Sequence, residues 1–142
     1  MDKYRKKLKK NGFKITPGRE AIIAFFFRKN RYATPETVWK EVRKSLPRLG
    51  LPTVYRNLEQ MRKTGILAQV DGAENRFYFG LCRAEKPDEH HHHVSCQKCH
   101  RVSEVENCYL ESLTKEIKKK TGFLITNHKL QLTGVCRNCQ ED

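Results

Sequence analysis

Residues 89–100 read Glu-His-His-His-His-Val-Ser-Cys-Gln-Lys-Cys-His, and a second Cys-x-x-Cys lies near the end of the chain. The pairs are Cys96/Cys99 and Cys136/Cys139, with 36 residues between them. Zinc favours tetrahedral thiolate coordination, and each short pair can present two sulfurs to one ion. Four thiolates leave no open coordination position, so the expected role is structural, stapling the strand near Cys96 to the segment at Cys136. The plain alternative is four thiols that bind nothing.

The histidine run is internal and only four long, unlike a terminal purification tag. If residues 90–95 are extended, successive side chains point to opposite faces. His91 and His93 then face one way and His90 and His92 the other, so the run serves two sites rather than one. A solvated histidine cluster of weak metal affinity is the competing reading.

These residues need positioning elements. Six Lys or Arg in the first ten residues, with Tyr4 and Leu8 at helical spacing, suggest a short basic helix or arm. Thr16-Pro17 and Thr34-Pro35 are helix starts, each a capping hydroxyl followed by a proline suited to the first turn. The first opens a helix holding the apolar run 21–27. The second opens one with a stripe at Val38, Trp39, Val42 and Leu46, which Pro47 should end. A further helix is expected from Thr53 to Thr64 with Gly65 as its stop; Val54, Leu58 and Met61 face the core while Thr53, Tyr55, Arg56 and Asn57 look outward. Strands at 66–70 and 76–79, joined by Asp71–Asn75, read as a hairpin. Three helices and a hairpin describe a winged helix-turn-helix over 1–80, with the helix from 53 entering a DNA major groove.

Residues 81–89 read as a linker or hinge. Beyond it, 90–142 reads as a small α/β module: a strand over 101–106, a Lys-rich helix over 109–121 stopped by Gly122, and strand again over 123–135. The expected fold class is therefore α+β, a winged helix followed by an α/β dimerisation domain with a four-cysteine zinc site. So small a module buries too little alone, and a homodimer is the expected remedy.

Charge follows the same division. Of the net +13, residues 1–80 carry 19 Lys and Arg against 7 Asp and Glu, and residues 81–142 carry 10 against 9. A polyanion-binding module followed by a neutral one accounts for this; a basic, merely soluble surface is the alternative. The longest apolar run, residues 21–27, is too short to span a bilayer and no signal peptide precedes it, so a cytosolic protein with reduced thiols is expected, without a membrane partner.

Lys14-Ile-Thr-Pro-Gly-Arg19, Thr53-Val-Tyr-Arg56, His90–His93 with Cys96-x-x-Cys99, Thr126-Asn-His128 and Gly134-Val-Cys-x-x-Cys139, in that order, resemble the ferric uptake regulator family over essentially the whole chain. The resemblance implies a dimeric metal-responsive repressor that binds AT-rich, roughly palindromic operators. It implies that Tyr55 and Arg56 contact bases, helped by Thr53, and that Lys14 reaches the minor groove. The structural zinc would take Cys96, Cys99, Cys136 and Cys139. A regulatory site between the domains would take His91, His93 and Glu104, and an auxiliary one His90, His92, Glu111 and His128.

Which metal is sensed turns on departures from the family. Iron and peroxide sensors resemble one another in a histidine and a carboxylate at positions that are Tyr32 and Tyr78 here. Zinc uptake regulators place a cysteine where this chain has Cys82, and a thiolate with two imidazoles and a carboxylate suits Zn better than Fe(II). The expected regulatory set is thus Cys82, His91, His93 and Glu104, binding zinc to control zinc-uptake genes, with iron or manganese as alternative metals and an iron- or peroxide-responsive repressor as the runner-up. Against it, the hinge ligand of zinc sensors falls on Ala68, which leaves Asp71 as a substitute or Glu104 to complete the set. Some zinc sensors also have a cysteine at Cys108, which is otherwise read as a small buried thiol. The chain lacks the His-x-Glu motif of zinc deaminases, so no catalysis and no small organic substrate are expected. A constitutive zinc-ribbon protein that binds nucleic acid without sensing remains the reading outside the family.

Overall fold

Threonine caps start two helices of the first unit. The Thr16 hydroxyl accepts from the Arg19 amide at 3.3 Å at the head of α2 (Pro17–Lys29), and Thr34 accepts from Thr37 at 3.3 Å at the head of α3 (Pro35–Val42). In this computed structural model residues 1–72, 75–82, 92–105 and 108–141 are described. The chain divides into two compact units, Met1–Arg83 and Ala84–Asp142. From residue 83 onward the expected linker lies outside the described residues, as do Ala73 and Glu74 of the expected hairpin turn.

In the first unit the basic N-terminus is a helix, α1 (Asp2–Lys10), anchored by buried Leu8. Two polar ties hold it: Arg5 to Glu20 of α2 at 2.7 Å, and the Lys7 ammonium to the Gly65 carbonyl at 2.7 Å. The apolar run of α2 supplies Ile22, Ile23, Phe25 and Phe26 to the core, with the two phenylalanines edge to face at 5.1 Å. The helix expected to run to Pro47 stops at Val42 instead. There the Ser45 hydroxyl takes the Val42 carbonyl at 3.1 Å, and the Trp39 indole N–H donates to the Leu49 carbonyl at 2.9 Å, folding the following loop back onto α3.

The fourth helix, α4 (Leu51–Lys63), begins two residues before the expected start because Gly50 caps it and Pro52 fits its first turn. It buries Val54, Asn57, Leu58 and Met61, an i, i+3, i+4, i+7 stripe. That stripe corrects the expectation for Asn57, which is 6% exposed and lies against Gly18 of α2. After Gly65, in the left-handed region at φ 67°, the chain enters β1 (Leu67–Asp71), antiparallel to β2 (Phe77–Leu81). Ala33 pairs with Phe79 on the other side of β2, through hydrogen bonds of 2.8 and 2.9 Å. Three core helices, a preceding basic helix and this ladder make a winged helix.

The second unit is a three-stranded sheet of order β4-β3-β5, with β3 (His92–Cys96) antiparallel to β4 (Val102–Val105) and parallel to β5 (Gln131–Gly134). The helix α5 (Glu111–Thr121) makes the crossover and ends at Gly122, φ 76°. The strand expected over 123–135 shrinks to the four residues of β5; Phe123 and Leu124, expected to lie in it, stand exposed ahead of β5. A short helix, α6 (Arg137–Gln140), was not expected from sequence. Among the described residues of this unit only His92, Ser95 and Cys96 are buried. No helix of the described residues is long and apolar enough to cross a membrane.

The first unit carries its own core, so Leu58→Ala, at the centre of the α4 stripe, should cost about 2–5 kcal/mol in denaturant unfolding of that unit. A midpoint within error of the parent protein would contradict this packing.

Candidate metal centres and recognition helix

Parallel pairing of β3 with β5 sets Cys96 opposite Gly134, so the chain leaves both strands at the same end of the sheet. The Gln97 amide donates to the Gly134 carbonyl at 2.8 Å and the Lys98 ammonium to the Cys139 carbonyl at 3.0 Å. The sulfurs of Cys96, Cys99, Cys136 and Cys139 consequently all lie within 4.8 Å of one another, with Cys99 and Cys136 3.6 Å apart. A tetrahedral zinc site with Zn–S bonds of about 2.3 Å has S···S edges of about 3.8 Å. The thiols present therefore fit a closed zinc centre.

Local electrostatics favour deprotonation at one corner. The Cys136 and Cys99 amides donate to Cys96 Sγ at 3.4 and 3.5 Å, drawing the Cys96 thiol down to about 6. Cys139 is pushed up to about 12, chiefly by its contact with the Cys136 side chain and then by burial. When zinc is bound, its charge supplies the stabilisation that a cluster of thiolates lacks by itself.

A second cluster joins β3 to the loops flanking α5. His92 Nε2 lies 3.2 Å from His128 Nε2, which lies 3.4 Å from Cys108 Sγ. The three ligand atoms all fall within 4.8 Å of one another. Of the expected auxiliary residues the structure thus brings together His92 and His128. Glu111 lines the adjoining cavity but pairs with Lys115 at 2.9 Å, and His90 lies outside the described residues. Cys108, left between buried thiol and ligand by its sequence context, sits beside both histidines.

On the other face of β3, His93 stands opposite Glu104 in the antiparallel ladder with β4, while His92 is opposite Val105. Cross-strand partners project to the same side, so His93 and Glu104 share a face. His91 lies outside the described residues. Cys82 belongs to the first unit, half-buried just after β2, its amide donating to the Ile66 carbonyl at 2.9 Å. Ala68 pairs with Gly80 across the hairpin, and Asp71 with Phe77. Tyr32 and Tyr78 are packing residues: a methyl group added at Gly80 would fall 2.8 Å from the Tyr32 ring, and one at Gly72 would overlap Tyr78.

The exposed side of α4 carries Tyr55 and Arg56, with Thr53 half-buried at its start and Lys14 exposed ahead of α2. The Tyr55 hydroxyl donates to Glu36 Oε1 at 2.5 Å, which lowers the Glu36 carboxyl and raises the Tyr55 phenol. Sequence reasoning gave Arg19 no role of its own, yet its guanidinium lies over the Phe13 ring at 5.1 Å. It donates to the Lys14 carbonyl at 2.6 Å and to Gln60 Oε1 at 2.7 Å, fixing the Lys14 loop to α4.

A winged helix followed by an α/β unit with a four-cysteine centre is the architecture of a metal-binding, DNA-binding regulator. Residues 10–133 match the model of the ferric uptake regulator family. A ferric uptake regulation protein of Campylobacter jejuni is 32% identical, over 98% of this chain and 87% of its own length. The structure of a ferric uptake regulator from Francisella tularensis with iron is 27% identical, with TM-score 0.74, covering 91% of this chain and 96% of that one. A zinc uptake regulator complexed with zinc and DNA shares the fold, at TM-score 0.77 and 21% identity over 99% of this chain and 92% of that one. The chain belongs to the ferric uptake regulator family: it is a metal-dependent transcriptional regulator and not an enzyme.

Cys139→Ser should lower the zinc content of the purified protein by about one equivalent per chain. Because the ligands must give up their protons, the apparent zinc affinity of the four-cysteine centre should climb with pH, most steeply below about 6, where Cys96 still holds a proton, and less steeply above it, where the other thiols supply the dependence. Competition with a chromophoric chelator across pH measures this, and a flat profile would refute it.

Proposed function

We propose that the protein is a zinc-sensing repressor of zinc-uptake genes in the bacterial cytoplasm. The observation that carries this reading is the ligand inventory: two tyrosines packed on glycines stand where iron sensors have ligands, while Cys82 offers a thiol just after β2. A thiolate with two imidazoles and a carboxylate favours zinc over harder ions. Cys82, His91, His93 and Glu104 form the regulatory set in this reading, and the shared face of His93 and Glu104 supports it. The auxiliary set is His90, His92, Glu111 and His128, supported by the closeness of His92 and His128.

Operator binding falls to Tyr55 and Arg56 on the exposed side of α4, with Thr53 at its start and Lys14 reaching the minor groove. The basic first unit supplies phosphate contacts. The working form is a homodimer. Tyr109, Leu113, Phe123, Leu124, Leu132 and Val135 are exposed on a second unit in which only three of the described residues are buried, which supports burial against a second copy. Ligand engagement shifts the population toward a closed dimer whose recognition helices lie about 34 Å apart, one turn of DNA.

Cys82→Ser should abolish zinc-dependent operator binding while leaving a folded dimer; a normal zinc response in the mutant would sink the zinc assignment. Arg56→Ala should weaken operator binding by about 1–3 kcal/mol whatever the metal. Iron sensing is the second reading, favoured by the identity to the Campylobacter jejuni protein. Metal content after anaerobic purification, with operator binding titrated against Zn(II), Fe(II) and Mn(II), separates the two.

A further inference from the structure

Three donor atoms from separated parts of the second unit converge in the His92–Cys108–His128 cluster. His92 comes from β3, Cys108 from the segment before α5, and His128 from the loop ahead of β5. Hydrogen bonding alone accounts poorly for this arrangement. A ring Nε2 offers either one proton or one lone pair, yet His128 Nε2 faces two heavy atoms at once, at 3.2 and 3.4 Å. Tetrahedral bonding with metal–nitrogen bonds of about 2.0 Å and metal–sulfur bonds of about 2.3 Å gives edges of about 3.3 Å for N···N and 3.5 Å for N···S. Both observed separations match those edges. His92 is 4% exposed, so the cluster has a buried side, and a cavity of about 360 Å³ adjoins it, lined in part by Cys108, Glu111 and His128.

We infer that Cys108 is a metal ligand and that His92, Cys108 and His128 form a thiolate-containing site for a soft or borderline divalent ion. This revises the auxiliary set of the proposed function, His90, His92, Glu111 and His128, which is made of histidines and a carboxylate and shares His92 and His128 with the site inferred here. Here a sulfur occupies one corner, and the Glu111 carboxylate is engaged by Lys115 at 2.9 Å. One thiolate and two imidazoles select Zn(II), Cd(II) or Co(II) over Mn(II), Mg(II) and Ca(II), whose preferred donors are oxygens. The cavity beside Cys108 and His128 leaves room for a fourth ligand, either water or Glu111 on leaving its exposed pair with Lys115. The assignment is independent of which metal the regulatory set senses, because it shares no residue with Cys82, His91, His93 or Glu104.

The test uses the full-length protein carrying Cys82→Ser, with its four-cysteine centre filled with zinc, so that no other free thiol competes. Titration with Co(II) should produce a near-ultraviolet sulfur-to-cobalt absorption band that Cys108→Ser removes, with zinc content unchanged. No band, or one that survives Cys108→Ser, overturns the assignment. A second readout leaves Cys108 in place. Added Zn(II) should slow alkylation of Cys108 by iodoacetamide at least about tenfold, followed by peptide mass spectrometry, because a metal-bound thiolate is masked. Equal rates with and without zinc overturn it. Failure of zinc-dependent operator control would appear in DNA binding, which neither readout uses.

Discussion

Convergence of four sulfurs at one end of a three-stranded sheet is the constraint on which the second unit rests. With only His92, Ser95 and Cys96 buried among its described residues, that unit has no apolar core to oppose the entropy of its loops. Joining the turn after β3 to the segment after β5 closes the longest loop in the unit, 36 residues between Cys99 and Cys136. The same closure fixes β5 beside β3, and that parallel pairing helps place the loop bearing His128 close to His92.

The first unit solves the opposite problem. Its core of Ile22, Ile23, Phe25, Phe26, Val54, Leu58 and Met61 is continuous, so its outer surface can be spent on charge. Arg19 shows how the two demands meet. One guanidinium stacks on Phe13, holds the Lys14 carbonyl and reaches Gln60 of α4, so the basic loop is tied to α4. Tyr55 is likewise pre-set by Glu36, which trades a free phenol for a defined rotamer on the exposed face of α4.

Much of this was legible in the sequence because short-range chemistry wrote it there. Thr16-Pro17 and Thr34-Pro35 gave the helix starts, and the Cys-x-x-Cys spacing gave the knuckles. Strand alternation alone separated His92 from His93, whose ladder partners are Val105 and Glu104. What escaped was decided at long range. Asn57 looks polar and outward in a linear reading, yet it completes the buried stripe of α4 against Gly18. The early stop of α3 depends on Trp39 reaching Leu49. Cys108 carries no local motif, and only the folding of the His128 loop onto β3 gives it neighbours.

Alternation in β3 has one more consequence. His92 and Cys96 lie four positions apart on one face of the strand, about 13 Å, while His93 looks the other way. A run of four histidines buffers that register. One residue inserted directly between the run and Val94 would carry His93 into the place of His92 and set its own side chain opposite Glu104. The buried cluster would keep an imidazole, and only the opposite face would lose one.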